Sequence, residues 1–163
     1  MTDDLHQAAE ALIINEGALL DQRQWDQWLD LYTEDAEYWV PAWDDEYTLT
    51  NDPETEISLI YYANRSGLDD RVFRLKTERS LASTPLPRTC HMNTNFRVAT
   101  EANGELTVHS AWHTYAYKLK VSSQFFGHQT HLIRPTASGL KIAARKIIVL
   151  NDLIPNVLDI YSI

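Results

Sequence analysis

Residues 52–95 read DPETEISLIYYANRSGLDDRVFRLKTERSLASTPLPRTCHMNTN, and within this stretch a helical texture gives way to the first long strand. Glu54 and Glu56 follow Pro53 in what would be a first helical turn, where acids suit the positive end of the helix dipole. Ile57, Leu59, Ile60 and Tyr61 then supply an apolar face. The pattern predicts a short buried helix here, broken by Asn64-Arg65-Ser66-Gly67. A second helix is predicted from about Leu68 to Arg79, with Leu68, Val72, Phe73 and Leu75 at mostly helical spacing and Asp69 and Asp70 near its start. Pro85 and Pro87 close the helical region, because neither ring nitrogen can donate to a continuing ladder.

Upstream, Leu5, Ala8, Ala9, Leu12, Ile13, Glu16 and Leu19 or Leu20 recur at i, i+3, i+4 spacing, which predicts an amphipathic helix over residues 3–21 opened by Thr2 or Asp3. A second, short helix is predicted to follow at once, where Trp25, Trp28, Leu29 and Tyr32 repeat the pattern over two turns and the two tryptophans would anchor it to a sheet. Thr33 to Ala36 reads as a turn into a strand at Glu37-Tyr38-Trp39-Val40, which Pro41 stops, and residues 42–52 read as an exposed acidic loop. Downstream of Arg88 the sequence alternates like strand. Thr94 to Glu101 leads to Asn103-Gly104, a strong hairpin signal, and then to a segment from Glu105 to Val121. A turn at Ser122-Ser123 and another across Thr136 to Gly139 separate two further strands, 124–135 and 140–151. Helices first and a four-strand antiparallel meander after them define an α+β domain with the helices on one face of the sheet. With 163 residues and 44% hydrophobic content, the chain is expected to form one domain.

The net charge of −9 argues against a nucleic-acid partner, since neutralising phosphates requires a basic face. Residues 1–70 carry 18 acids against 2 bases, and residues 71–163 carry 5 against 12. Either an acidic helical layer packs beside a more basic sheet, or one of these surfaces meets an oppositely charged subunit. The basic run Arg65, Arg71, Arg74, Lys76, Arg79 has the same two readings: a solvated helix face, or a set of guanidinium groups gripping a partner's carboxylates. No apolar run approaches the roughly 20 residues that span a bilayer, and the acidic N-terminal segment does not resemble a secretory signal, so a cytoplasmic location is expected. The apolar C-terminal LNDLIPNVLDIYSI is expected to dock on its own domain.

Six histidines invite a metal site. His109 and His113 lie on a predicted strand, where four residues span roughly 13 Å at about 3.3 Å per residue, too far for one ion. His128 and His131 fall on opposite faces. A Rieske cluster needs two cysteines and two histidines, and Cys90 is the only cysteine; it reads as a small buried hydrophobe. No glycine-rich phosphate loop or dinucleotide fingerprint is present.

The string EISLIYYANRSGLDDRVFRLKTERS, with PRTCHMNTN after it and YTEDAEYWVP at 32–41, closely resembles the small (beta) subunit of bacterial aromatic-ring-hydroxylating dioxygenases, in the benzoate, anthranilate and 2-halobenzoate 1,2-dioxygenase branch. The likeness extends over essentially the whole chain. It implies the cone of the nuclear-transport-factor-2-like (cystatin-like) fold, and a structural role for this chain in a hetero-hexamer: three copies form a trimeric base for three large (alpha) subunits. By the same resemblance each large subunit carries a Rieske [2Fe-2S] cluster and a mononuclear non-haem iron, and electrons arrive from NADH through a reductase. The holoenzyme would dihydroxylate an aromatic carboxylate in aromatic catabolism, with no catalytic, metal or cofactor residue on this chain. Arg71, Arg74 and Arg79 are then candidate interface residues. The fold also hosts freestanding dehydratases and isomerases, which use Asp, His and Tyr for proton transfer inside the cone, and modules that bind small molecules. Tyr32, Asp35, His91 and His113 are the candidate cavity residues for that alternative, opposed by bulky Trp25, Trp28, Trp39, Trp112, Phe125 and Phe126, which are expected to fill the cone.

Overall fold

A computed structural model describes residues 2–77, 84–155 and 157–163. Helix α1 (Thr2–Asp21) and the short α2 (Trp25–Leu29) precede strand β1 (Tyr32–Pro41). Strand β2 (Ser58–Tyr62) and helix α3 (Ser66–Lys76) follow, then four long strands: β3 (Arg88–Thr100), β4 (Leu106–Lys118), β5 (Val121–Thr136) and β6 (Gly139–Val149). All six strands form one sheet in the order β2-β1-β6-β5-β4-β3. The meander β3 to β6 is as expected; the sheet then continues through β1, which pairs with β6 in parallel, and ends on β2.

The sheet wraps around α1. Ala9 and Ile13 pack with Leu106, Val108 and Ile133 at one end. Leu19 and Leu20 pack at the other with Trp28, Tyr32, Tyr38, Trp112 and Phe125. Gly17 sets how close the helix lies, because a β-carbon there would sit 2.9 Å from the His91 β-carbon on β3. Of the aromatics expected to fill the cone, Trp28, Trp112 and Phe125 do so. Trp39 lies on the outer face beneath Lys146, and Phe126 is exposed.

The predicted helix at 54–61 is instead a turn followed by β2. Its start signals are spent locally: the Glu56 carboxylate accepts from the Asn51 and Asp52 amides, and Asp52 accepts from the Glu54 amide and the Thr55 hydroxyl. The apolar run SLIYY then completes an antiparallel pair with β1. Residues 33–36 belong to β1 rather than to a turn, although their pairing with β6 is irregular between Tyr32 and Glu37. Helix α3 spans Ser66–Lys76, and Arg79 lies outside the described residues. Cys90 is exposed, since it alternates along β3 with the inward-facing His91. The C-terminal segment docks as expected, with Ile160, Tyr161 and Ile163 buried in the main core.

Gly104 takes the positive φ of the predicted hairpin, at +86°. The β4–β5 turn falls at Leu119-Lys120 rather than at Ser122-Ser123, and both residues carry positive φ (+51° and +68°) without being glycine or asparagine. A left-handed conformation costs an ordinary residue about 1–2 kcal/mol, and two-residue hairpins with positive φ at both centres favour Asn-Gly. Replacing Leu119 by Asn together with Lys120 by Gly is therefore expected to stabilise the chain by about 1 kcal/mol, an upward shift of roughly 2–4 °C in the melting temperature. Thermal denaturation of the two chains at matched concentration checks this.

Candidate functional site

The buried face of α1 carries one acid, Glu16, at 2% exposure between the two apolar ends of the core. Its carboxylate meets residues from three strands. Tyr32 at the start of β1 donates its hydroxyl to Oε1, Arg145 on β6 donates from Nη1 to the same oxygen at 3.0 Å, and His131 on β5 places Nε2 2.9 Å from Oε2. The arginine's remaining nitrogens are held by Gln129, whose Oε1 accepts from Nε at 3.1 Å and from Nη2 at 2.9 Å. Gln129 in turn donates to Asn93 (2.6 Å) and Ser110 (3.1 Å). The result is a polar belt crossing the cone.

Burial by itself would push the Glu16 carboxyl up; the Arg145 charge and the hydrogen bonds from His131 and Tyr32 reverse this and hold it at about 2. Burial pushes His131 down despite Glu16, so the ring is neutral at pH 7, donating from Nε2 while its Nδ1 has no partner. Arg145 therefore supplies the compensating charge. The Tyr32 hydroxyl is pushed well up by burial and by the adjacent carboxylate. A proton-transfer site needs an acid or base poised near the working pH and free to reach a substrate. Glu16 is fully ionised, and both of its oxygens are already taken.

Tyr32, Asp35, His91 and His113, the candidate cavity residues, do not converge. Only Tyr32 joins the belt. Asp35 is exposed and pairs with Arg134 (3.0 Å). His91 packs at the C-terminal end of α1 with Nδ1 2.5 Å from Asp21, and Asp21 also accepts from Thr89 and from the His91 amide. His113 lies on the outer sheet face against Gln124 (2.7 Å). Among the described residues, no group of three His, Cys, Asp or Glu is arranged to hold a metal ion.

The candidate interface residues also separate. Arg71 pairs with the buried Asp159 of the C-terminal segment, its Nε donating at 2.8 Å, and so serves to pin that segment. Arg74 is exposed and borders a cleft of about 320 Å³ lined also by Leu59, Tyr62, Val157 and Leu158. Lys76 pairs with Asp26 on α2 (2.9 Å). Glu16 was visible in the sequence as an acid on an apolar helix stripe; His131 and Arg145 were not, because nothing in their strands marks which face turns inward to meet it.

A helix enclosed by a curved six-strand sheet is the cone of the nuclear-transport-factor type. The same fold is seen in a scytalone dehydratase-like protein from Novosphingobium aromaticivorans at 15% identity, with a TM-score of 0.68 over 98% of this chain and 97% of that one. Sequence narrows the class further. Residues 15–156 match the family model described as the ring hydroxylating beta subunit. The chain is 44% identical over 153 residues to the 2-halobenzoate 1,2-dioxygenase small subunit of Burkholderia cepacia, covering 94% of this chain and 93% of that one. It is also 44% identical over 151 residues to the benzoate 1,2-dioxygenase beta subunit of Acinetobacter baylyi, covering 93% and 89%. The crystal structure of a benzoate 1,2-dioxygenase beta subunit from Burkholderia mallei superposes with a TM-score of 0.80 at 41% identity, over 95% of each chain. The chain belongs to the beta-subunit family of ring-hydroxylating dioxygenases.

The belt makes stability depend on pH in a defined direction. The folded pKa of Glu16 is depressed, so its contribution is complete above the unfolded value near 4.5 and is lost as pH falls toward 2. His131 acts earlier: the unfolded chain binds its proton below about pH 6.5 while the folded chain resists, so stability already declines there. Glu16→Gln leaves the Arg145 charge buried without a counter-charge and should cost about 3–5 kcal/mol. The double variant Glu16→Gln, Arg145→Met is expected to be more stable than the single one. Denaturant titrations from pH 7 down to pH 4 would measure both effects.

Proposed function

We propose that this chain is the structural small subunit of the terminal oxygenase of a multicomponent, cytoplasmic ring-hydroxylating dioxygenase that dihydroxylates an aromatic carboxylate of the benzoate, anthranilate or 2-halobenzoate type. The observation that carries the reading is the end-to-end likeness to benzoate-type small subunits, at 44% identity over nearly the whole of both chains. In this reading the chain acts as one domain. Three copies form a ring under three large subunits, which hold the Rieske [2Fe-2S] cluster and the mononuclear non-haem iron and receive electrons from NADH through a reductase.

The chain's own residues support a scaffolding role. The cone is occupied by large side chains and by a belt whose one carboxylate already has its partners, so its interior is built for rigidity. An alternative reading, a freestanding dehydratase of the same cone, draws on the presence of an acid, an imidazole and a phenol together inside it. The saturation of Glu16 weighs against it. Of the candidate interface arginines among the described residues, Arg74 is the one whose exposed charge and neighbouring apolar cleft suit a carboxylate-bearing partner surface.

The purified chain is expected to bind no stoichiometric iron and to turn over no aromatic acid, whereas omitting it from a reconstitution should cripple the oxygenase. Single substitutions of Tyr32, Asp35, His91 and His113 should leave turnover of the assembled oxygenase nearly intact wherever assembly survives. A loss of more than about 100-fold with normal assembly and iron content, the scale of deleting a general acid or base, would sink the scaffolding reading. Arg74→Glu should lower the yield of complex with the large subunit while leaving the melting temperature of the isolated chain unchanged. Co-purification yield and thermal melts separate the two effects.

A further inference from the structure

Antiparallel sheets with one solvated face usually place polar residues on it. The outer face of this sheet departs from that pattern. Met92, Tyr115, Tyr117 and Phe126 point outward from β3, β4 and β5 and are each 42–48% exposed. Cross-strand register makes them neighbours: Met92 lies opposite His113, His113 opposite Phe126, and Cys90 opposite Tyr115. The His113 ring sits 4.3 Å from Tyr115 and 6.3 Å from Phe126, centre to centre, which closes the patch into one surface. The strained β4–β5 turn extends it with Leu119 and Val121, both mostly exposed. A contiguous apolar surface of this kind marks a contact, and a costly backbone at its tip points the same way.

The strands that carry most of the patch hold basic charge only. Residues 106–150 contain no aspartate or glutamate; exposed Arg88 lies opposite Tyr117, exposed Lys120 sits in the β4–β5 turn, and exposed Arg97 lies further along the same face opposite His109. The complementary surface is on the same chain. Between β1 and β2, residues 42–57 carry Asp44, Asp45, Glu46, Asp52, Glu54 and Glu56 with no lysine or arginine, and expose Trp43, Tyr47 and Ile57. This loop is already shaped. Asp45 accepts from the Tyr47 and Thr48 amides at 2.8 Å, and the Thr50 hydroxyl bridges the Ala42 and Ile57 carbonyls. A preorganised loop loses little freedom on docking. Tyr47, at 85% exposure, and Phe126 both face solvent within one chain, so the two surfaces do not satisfy each other there.

Resting on the threefold reading given above, we infer that the acidic 42–57 loop of one copy docks on the basic, aromatic outer sheet face of the next. Two different patches meeting in this way make a heterologous contact, which closes into a ring when the rotation between copies permits. The apolar residues form the centre of the contact and the opposed charges its rim, so association should weaken as salt is raised.

Charge exchange tests the inference. One variant carries Asp44→Lys, Glu46→Lys and Glu54→Lys, whose side chains avoid the loop's capping bonds; a second carries Arg88→Glu, Arg97→Glu and Lys120→Glu; a third carries all six changes. Multi-angle light scattering across a concentration series, on the chain alone and on oxygenase co-purified with its large subunit, should show each triple variant weakening self-association at least ten-fold. The sixfold variant, in which a basic loop meets an acidic face, should restore it. A wild-type ring insensitive to both triple variants, or a loss the sixfold variant does not recover, overturns this docking while leaving the ring standing. If the triple variants lose only the large subunit, the occupant is that subunit and the inference fails. Wild-type chain that forms no trimer in either preparation overturns the threefold reading and this inference together.

Discussion

The structure turns on the ionised carboxylate of Glu16, sealed inside the cone. Removing Glu16 from water costs several kcal/mol, and that cost is met only if Arg145 and Tyr32 arrive in register from β6 and β1, with His131 beside them on β5. The pair therefore specifies position more than it adds stability. It ties α1 to strands that would otherwise be free to slide along it, and Gln129 carries the constraint on to Ser110 of β4 and Asn93 of β3. The apolar clusters above and below the belt supply the burial energy. The belt fixes which packing of them is adopted.

How much of this was legible in the sequence follows from the range of the interactions involved. Elements declared by local chemistry came through: the stripe of α1, the Asn103-Gly104 hairpin and the alternation of the long strands all appear close to where they were read. Segment 54–62 did not, because a short apolar run looks the same in a buried helix and in a strand, and only the exposed edge of β1 decides between them. The Leu119-Lys120 turn was hidden for the opposite reason. Its residues are poor at the geometry they adopt, and Ser122-Ser123 offered a better local signal nearby. Arg71 was legible as a cation but not as a clamp, since its partner Asp159 lies 88 residues away in the chain.

For the candidate site, the resemblance carried the family. The four side chains proposed for a cavity were chosen by type, and type does not fix direction: Asp35 and His113 face outward, His91 faces α1, and Tyr32 alone enters the belt. The apolar outer face of the sheet was not read from the sequence. Alternation showed that one face of each strand was apolar, but on β4 and β5 both faces carry aromatic residues, and only the wrap around α1 distinguishes the filled side from the bare one.

The parallel pairing of β1 with β6 has a consequence for synthesis. Strand β1 ends at Pro41, and the strand that receives it ends at Val149, so the seam joining β1 and β2 to the rest of the sheet cannot close until more than a hundred further residues have left the ribosome. At about 5–20 residues per second that is a delay of roughly five to twenty seconds. Until β6 emerges, the Glu16 carboxylate on α1 has no counter-charge, even where β3 and β4 already offer the helix a surface. Such a chain gains little from folding while it is being made and depends instead on a late, global collapse, the slow regime expected when contacts are mostly distant in sequence. Its vulnerable interval is the one between translation and closure of that seam.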